Sequence, residues 1–223
     1  MKRTFFNSKG KDKQYIVIGC GRFGSSVAKK MCQLGNEVMV IDKDEDSIEN
    51  IAEQVTHTAI VDVTEERDLK SIGLGNFDVV IVAISSDIRA SIMATIMAKE
   101  MGVPKIVCKA KDELQAKVLY KIGADKVVFP ERDMGIRLAY NLASENILDQ
   151  INLDPEYSIM EIVTPTNWVG KTIIELNLRA KYDITVLAVK TPSGLKVMPS
   201  PNYKMQEKNI LIIIGNTDKI SDI

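Results

Sequence analysis

A glycine-rich turn near the N-terminus has the spacing of a nucleotide-phosphate site. The apolar residues 15–18 lead directly into the G-x-G-x-x-G motif of residues 19–24. In a parallel α/β unit the first glycine permits the tight turn, the second lets the backbone approach a pyrophosphate, and the third lets the helix pack on the strand. Asp42 ends the next apolar run, 18 residues beyond Gly24. An acidic group at that distance is expected to hydrogen-bond a ribose hydroxyl.

A cation inside the turn and polar residues after successive strands extend this predicted site. Arg22 lies where a guanidinium could contact phosphates, although a solvated loop arginine is the alternative. Ligands of open parallel sheets bind at the carboxyl ends of the strands. The polar residues predicted at those ends are Asp42, Asp62, Ser85, Ser86, Lys109 and Glu131. Lys109 either binds there or only extends its amine into solvent, and Glu131 either holds a divalent cation or is a surface charge.

The sequence offers little for catalysis. His57 is the one histidine and no G-x-S-x-G motif accompanies it, which disfavours nucleophilic catalysis. Cys20, Cys32 and Cys108 lack C-x-x-C spacing and are interpreted as small buried residues in a reducing compartment. We therefore expect a nucleotide sensor and no enzyme. The alternatives are an NAD(P)-dependent oxidoreductase or an NAD-redox sensor on the same fold.

Composition places the chain in the cytoplasm without a general affinity for polyanions. Its 223 residues carry 29 Lys and Arg against 30 Asp and Glu, a net charge of −1 that gives no attraction to nucleic acid. Residues 1–13 are basic but contain no apolar stretch of a secretory signal, and they are expected to form a solvated tail. No run approaches the length of a membrane-spanning helix, so membrane contact is expected through a separate protein.

The hydrophobic pattern predicts a Rossmann-like doubly wound parallel sheet of six strands, then a crossover helix and a smaller α+β domain. The predicted domains are residues 14–134, a crossover helix and linker at 135–152, and residues 153–223. Elements expected in the first part include helix 45–54, strand 60–62, helix 88–101, and helix 132–149. In the second domain we expect strands 157–163, 184–190 and 210–214, helix 172–177, and a turn at 191–194.

Five stretches resemble the RCK-type (KtrA/TrkA) family, the cytosolic regulatory subunits of bacterial Ktr and Trk potassium uptake systems. They are residues 17–24, 76–84, 118–125, 130–135 and 178–182. The resemblance implies an RCK N-terminal domain and an RCK C-terminal domain. It also implies homodimers that assemble into an octameric ring on the cytoplasmic face of a KtrB-like potassium-translocating subunit. Nucleotide exchange in the ring would then gate that membrane partner.

By that resemblance the N-terminal ligand is ATP or ADP, with NAD(H) in the TrkA branch. Arg22 would contact the terminal phosphates, Asp42 the ribose and Asp62 the adenine region. The full set implied is Gly19, Gly21, Arg22, Phe23, Gly24, Asp42, Lys43, Asp44, Asp62, Val63, Ile84, Ser85, Ser86, Lys109, Ala110, Lys111, Gln115 and Glu131. Glu131 would also hold a divalent or monovalent cation near the dimer interface.

The same resemblance implies a second ligand, because some family members bind cyclic di-AMP between C-terminal domains. The matching residues are Ile173, Ile174, Asn177, Arg179, Ala180 and Pro201. Asp183 stands where many relatives have glycine. A carboxylate near a phosphodiester site is expected to weaken binding of a cyclic dinucleotide.

Overall fold

The computed structural model describes residues 13–84, 86–143, 147–154 and 156–221, which divide after Pro130 into two compact units. The helices are α1 Arg22–Gln33, α2 Glu45–Glu49, α3 Glu66–Ser71, α4 Ile88–Glu100, α5 Glu113–Lys121, α6 Pro130–Ala143, α7 Ile173–Leu176, α8 Leu178–Tyr182 and α9 Thr217–Ser221. Strands β1–β6 are Gln14–Ile18, Glu37–Asp42, His57–Ile60, Val79–Val82, Lys105–Lys109 and Lys126–Val128. Strands β7–β11 are Ile147–Asn152, Tyr157–Val163, Ile184–Thr191, Gly194–Val197 and Ile210–Asn216.

The first unit is a parallel sheet of six strands in the order β3-β2-β1-β4-β5-β6. Successive residues of β1 face opposite sides, since Ile16 and Ile18 pack in one hydrophobic cluster and Val17 packs in another. Helices therefore cover both faces of the sheet. The strand order reverses between β1 and β4, which is where such sheets open a crevice for ligands. The predicted doubly wound sheet is confirmed.

The second unit contains an antiparallel sheet of five strands in the order β10-β9-β11-β8-β7. Trp168 is 2% exposed and lies in its core beside Met160, Ile162 and Ile213. The ring of Trp168 is 5.9 Å from that of Tyr182, centroid to centroid. These residues form the core of the smaller α+β domain that the sequence predicted. Strand β8 has the predicted bounds.

Two predictions around β3 were wrong. The strand is His57–Ile60 and does not extend over residues 60–62. It ends early because the Asp62 carboxylate accepts hydrogen bonds from the Thr64 amide and hydroxyl, which turns the chain. Helix 45–54 is broken into α2 and a 3-10 turn at Ala52–Gln54. The break follows Asn50, whose side chain donates to the carbonyl of Asp46 in the last turn of α2.

The predicted helix over residues 132–149 was also wrong at its C-terminal end. Helix α6 ends at Ala143, and Ile147–Asn152 forms β7, which pairs with β8. Ile147 and Gln150 are buried in this strand, so pairing with β8, the next strand in the chain, outweighs the helical pattern. Strand β10 was not predicted, although the turn at residues 191–194 was: the Thr191 hydroxyl donates to the carbonyl of Gly194 at 2.9 Å.

An ion pair joins α6 to β7 and gives the second unit a pH dependence. Arg137 donates two hydrogen bonds to the Asp149 carboxylate, which holds the pKa of Asp149 below its ordinary value. A lowered folded-state pKa adds stability above the unfolded pKa, about 3.9, and that stability is lost as the pH falls through the folded value.

We expect Asp149→Asn to lower the urea midpoint of the second unit at pH 7, and the difference from the native chain to shrink below about pH 4. Fluorescence of Trp168, the single tryptophan, reports unfolding of this unit. Glu207→Gln, at an exposed position, is the control and should change the midpoint at neither pH. A difference that grew as the pH fell would contradict this assignment.

Candidate functional site

The three glycines of the turn are required for different reasons. Gly19 has a φ of +101°, and a Cβ there would lie 2.9 Å from Ile84 Cγ1. A Cβ on Gly24 would overlap the carbonyl oxygen of Gly19 and lie 3.0 Å from Ala83 Cβ. Gly21 is exposed, has an ordinary φ of −67°, and a Cβ there would meet nothing within 4 Å. The fold itself requires no glycine at Gly21, whereas a ligand resting on the bare backbone does.

The first turn of α1 is open to an anion. Asp44, Asp87 and Asp112 each cap a helix of this unit by accepting a backbone N–H with the side chain. Among the described residues, no side chain caps α1, and its first turn contains no acidic residue. Uncapped N–H groups and the positive end of the helix dipole are the groups that bind phosphate.

The Asp42 carboxylate is attached to the glycine turn. Its Oδ2 accepts a hydrogen bond from the Cys20 amide at 2.6 Å, and its Oδ1 accepts one from the Asp44 amide at 3.0 Å. Each carboxylate oxygen can accept a further hydrogen bond. The predicted ribose-binding residue is therefore fixed beside the predicted phosphate-binding turn, in a form that can accept a ribose hydroxyl.

Strand β5 brings a third group to the turn. Lys109 ends β5, is 7% exposed, and its Nζ lies 5.8 Å from the centre of the Phe23 ring. The side chain of Gln115 is buried, and its Oε1 accepts the Lys111 amide at 2.9 Å. Its Nε2 is buried and has no hydrogen-bond partner among the described residues. An unpaired buried donor is costly, which supports a role for Gln115 beside this crevice.

The other predicted contacts differ in what they can offer. Arg22 and Lys43 are exposed, and Asp62 is exposed with a pKa below its ordinary value because Thr64 donates to it. Val63 and Ala110 are buried in the core, so they would contact a ligand through backbone atoms. The remaining described members, Ile84, Ser86 and Lys111, lie on loops after β4 and β5. Ser85 lies outside the described residues.

Glu131 belongs to the second unit, as the second residue of α6, and is exposed. Within the described part of the chain, no group of three or more His, Cys, Asp and Glu side chains is arranged to hold a metal ion. The role of Glu131 toward a cation, like that toward a nucleotide, stays a prediction.

The predicted second-ligand residues come from segments that contact each other. The Ile174 amide donates to the carbonyl of Pro201 at 3.0 Å, which joins α7 to the loop before β11. Ile173 packs against the core, whereas Ile174 is 64% exposed. Asn177, Arg179 and Ala180 are also exposed. Cyclic di-AMP binding at these residues stays a prediction.

Asp183 adopts the left-handed backbone conformation, with a φ of +58°, at the end of α8. Glycine adopts this conformation without steric cost, which gives a backbone reason for glycine at this position. The Asp183 carboxylate lies 3.6 Å from Lys219 Nζ. Part of its charge is therefore offset by a neighbouring cation.

Sequence reasoning missed two features of this site. Cys20 was interpreted only as a small buried residue, yet its amide holds Asp42. Its place inside the glycine motif was the one available signal. The packing of Lys109 over Phe23 joins residues far apart in the chain, and no local pattern indicates it. The thiols of Cys20 and Cys108 are buried, whereas Cys32, also predicted to be buried, is only partly so.

Comparison with known proteins identifies the family and the fold. The TrkA-N domain family matches residues 15–130 and the TrkA-C domain family matches residues 158–223. In solved structures the fold is similar to the GsuK channel, with a TM-score of 0.69 and 18% identity over 93% of this chain. The GsuK channel bound to NAD gives a TM-score of 0.66 and 17% identity. This chain spans 38% of the length of each of those chains.

Fold and site thus define a chain of the two-domain TrkA-N and TrkA-C class. It is 42% identical over 210 residues to Ktr system potassium uptake protein A of Bacillus subtilis, covering 94% of this chain and 95% of the relative. It is 45% identical over 209 residues to Ktr system potassium uptake protein C of the same organism, with the same coverage. The chain belongs to the family of Ktr and Trk system potassium uptake proteins, as its resemblance to the RCK-type family predicted. None of its described helices has the length and apolar character needed to cross a bilayer.

The glycines allow stability to be separated from binding. Gly24→Ala forces a methyl group against the Gly19 carbonyl, and we expect it to cost about 2 kcal/mol or more of unfolding free energy. Gly21→Ala meets no neighbouring atom and should cost less than about 1 kcal/mol as a change of N-cap residue. Calorimetric melting of the ligand-free proteins measures both. Equal melting temperatures for Gly24→Ala and Gly21→Ala would contradict the close packing of Gly24 against the Gly19 carbonyl.

Proposed function

We propose that this chain is a non-enzymatic, nucleotide-sensing regulatory subunit that gates a membrane potassium-translocating subunit. The observation that carries the proposal is the bare backbone of Gly21 at the start of uncapped α1, with Asp42 attached to the same turn. This arrangement occurs in a chain that is 42% identical to a Ktr system potassium uptake protein over almost its whole length. The chain acts at the cytoplasmic face of the membrane through its partner.

The proposed ligands are ATP and ADP. Asp42 accepts from the ribose, which these nucleotides share with NAD, so it gives no preference among them. Arg22 provides the preference among these nucleotides. It is exposed and directly follows Gly21, so its guanidinium can contact a terminal phosphate. An NAD-redox sensor is the second candidate, supported by the structurally similar GsuK channel, which binds NAD. Mass spectrometry of small molecules released from the native protein distinguishes the two.

Gating requires that the nucleotide bind two conformations with different affinity. A ligand with equal affinity for both conformations shifts no equilibrium, however tightly it binds. ATP and ADP differ in one phosphate, so a contact with that phosphate is the physical difference that the subunit converts into a change of shape. We propose that the assembly that changes shape is a ring of four homodimers, with Glu131 and a cation near the dimer interface. Native mass measurement of the purified protein gives the ring size.

The terminal-phosphate role of Arg22 has a direct test. We expect Arg22→Ala to weaken ATP binding by about tenfold or more, the loss of a charge-assisted hydrogen bond. ADP binding should change by less than about threefold, since its phosphates rest on the helix amides. Isothermal titration calorimetry measures both dissociation constants.

Lys30→Ala is the matched control, because Lys30 is an exposed cation in the last turn of the same helix. It should leave both affinities unchanged. An equal loss of affinity for ATP and ADP in Arg22→Ala would contradict a contact between Arg22 and the terminal phosphate.

Regulation itself is measured with the membrane partner in liposomes. Potassium flux should differ between ATP and ADP when this chain is present, and Gly21→Ala should remove the difference by blocking the approach of the phosphates. Potassium flux that is the same with ATP and with ADP would contradict the proposed function. Hydride transfer from NADH to a small carbonyl compound by the purified chain would support an oxidoreductase instead.

A further inference from the structure

Four residues form a closed ring of hydrogen bonds between the glycine turn and the segment that follows β2. The Cys20 amide donates to Asp42 Oδ2, and the Asp44 amide donates to Asp42 Oδ1. The Ser47 amide and hydroxyl both donate to Asp44 Oδ2. The ring closes where the Cys20 thiol donates to the backbone carbonyl of Ser47, with Sγ 3.3 Å from the oxygen.

We propose that Cys20 is a positioning residue for nucleotide binding, whose thiol holds the Asp42 carboxylate in the orientation that accepts a ribose. This inference rests on the proposed nucleotide site. Residue 20 contacts both ends of the segment 42–47: its amide binds the carboxylate at the start, and its thiol binds a carbonyl in the first turn of α2. Cys20 thus joins the phosphate half of the site to the ribose half.

The thiol is able to act as a donor at neutral pH. Burial raises the pKa of Cys20 above its ordinary value, and the nearby negative charge of Asp42 raises it further. The group therefore keeps its proton, and the S–H can donate to the carbonyl of Ser47. The side chain is 8% exposed and packs beside Ile48 and Ile51, so water does not compete strongly for this hydrogen bond.

The ring restrains the side chain of Asp42, whose backbone the sheet already holds by pairing with Ile60. Residue Asp42 ends β2, and the segment after it has no strand partner until α2 begins at Glu45. Without the thiol contact, the Asp44 cap still starts α2, and within the ring α2 stays tied to the glycine turn only through the Asp42 carboxylate, which binds the Cys20 and Asp44 amides. The Asp42 side chain, then the one link left in the ring, can rotate when the segment after β2 moves, and its contacts to a ribose weaken while the phosphate contacts remain.

The test compares ATP with 2′,3′-dideoxy-ATP, which lacks the ribose hydroxyls, by calorimetric titration of the full chain. The native chain should prefer ATP by about tenfold or more. We expect Cys20→Ala to reduce that preference by about threefold or more, and Cys20→Ser, which keeps a donor, to restore it. Affinity for inorganic tripolyphosphate should stay within about twofold in all three proteins, because the helix amides are untouched.

Two further measurements separate positioning from packing and from the proposed function. Cys32→Ala makes the same substitution at a partly buried thiol of α1 and should leave the preference unchanged. Hydrogen exchange of the Cys20 and Asp44 amides, measured without ligand, should quicken in Cys20→Ala (whose backbone amide remains) and return to the native rate in Cys20→Ser.

An unchanged preference in Cys20→Ala, or a serine variant that behaves like the alanine variant, would overturn the inference. If the native chain bound neither ATP nor its dideoxy analogue, the proposed function would fail instead. The amide exchange rates would then test the hydrogen-bond ring by themselves. Unchanged rates in Cys20→Ala would overturn the role of the thiol in the ring. Faster rates in Cys20→Ala that return to the native value in Cys20→Ser would support it.

Discussion

The approach of α1 to β1 is the constraint on which the first unit and its candidate site depend. The helix starts so close to the strand that Gly24 lies directly against the Gly19 carbonyl, with no room for a methyl group. This contact directs the N-terminal amides of α1 toward the carboxyl edge of the sheet, where β2 delivers Asp42 and β5 delivers Lys109. Because that backbone contact fixes where α1 begins, the first amides of the helix lie at the same edge of the sheet as the polar groups of the site.

The sequence was a good guide to the first unit because its signals are local. Alternation of apolar runs with helical periods indicates parallel strands that are buried on both faces, and the observed sheet of six parallel strands is the doubly wound sheet that was predicted. The glycine spacing and Asp42 predicted a turn and a carboxylate that the structure brings together. Errors fell where a side chain redirects the backbone, as at Asn50 and Asp62.

The second unit was harder to predict for a physical reason. The identity of β7 depends on pairing with β8 and on the ion pair between Arg137 and Asp149, whereas the apolar residues up to Asp149 also fit a continuation of α6. Strand β10 consists of four exposed residues, so it has no buried face that would produce a hydrophobic pattern. In the site, the ring through Cys20 and the placement of Lys109 over Phe23 depend on side-chain contacts between separate elements.

The uncapped start of α1 has a consequence for the lifetime of the protein. Helices α2, α4 and α5 each carry an aspartate that accepts an amide of the first turn, whereas in the proposed function the first amides of α1 bind the phosphates of a nucleotide. A ligand held only by the native state adds about 2.7 kcal/mol of stability when its concentration is 100 times its dissociation constant. Under the proposed function the nucleotide would be a component of the folded domain as well as its signal, and a cell depleted of nucleotide would hold a subunit more open to proteolysis.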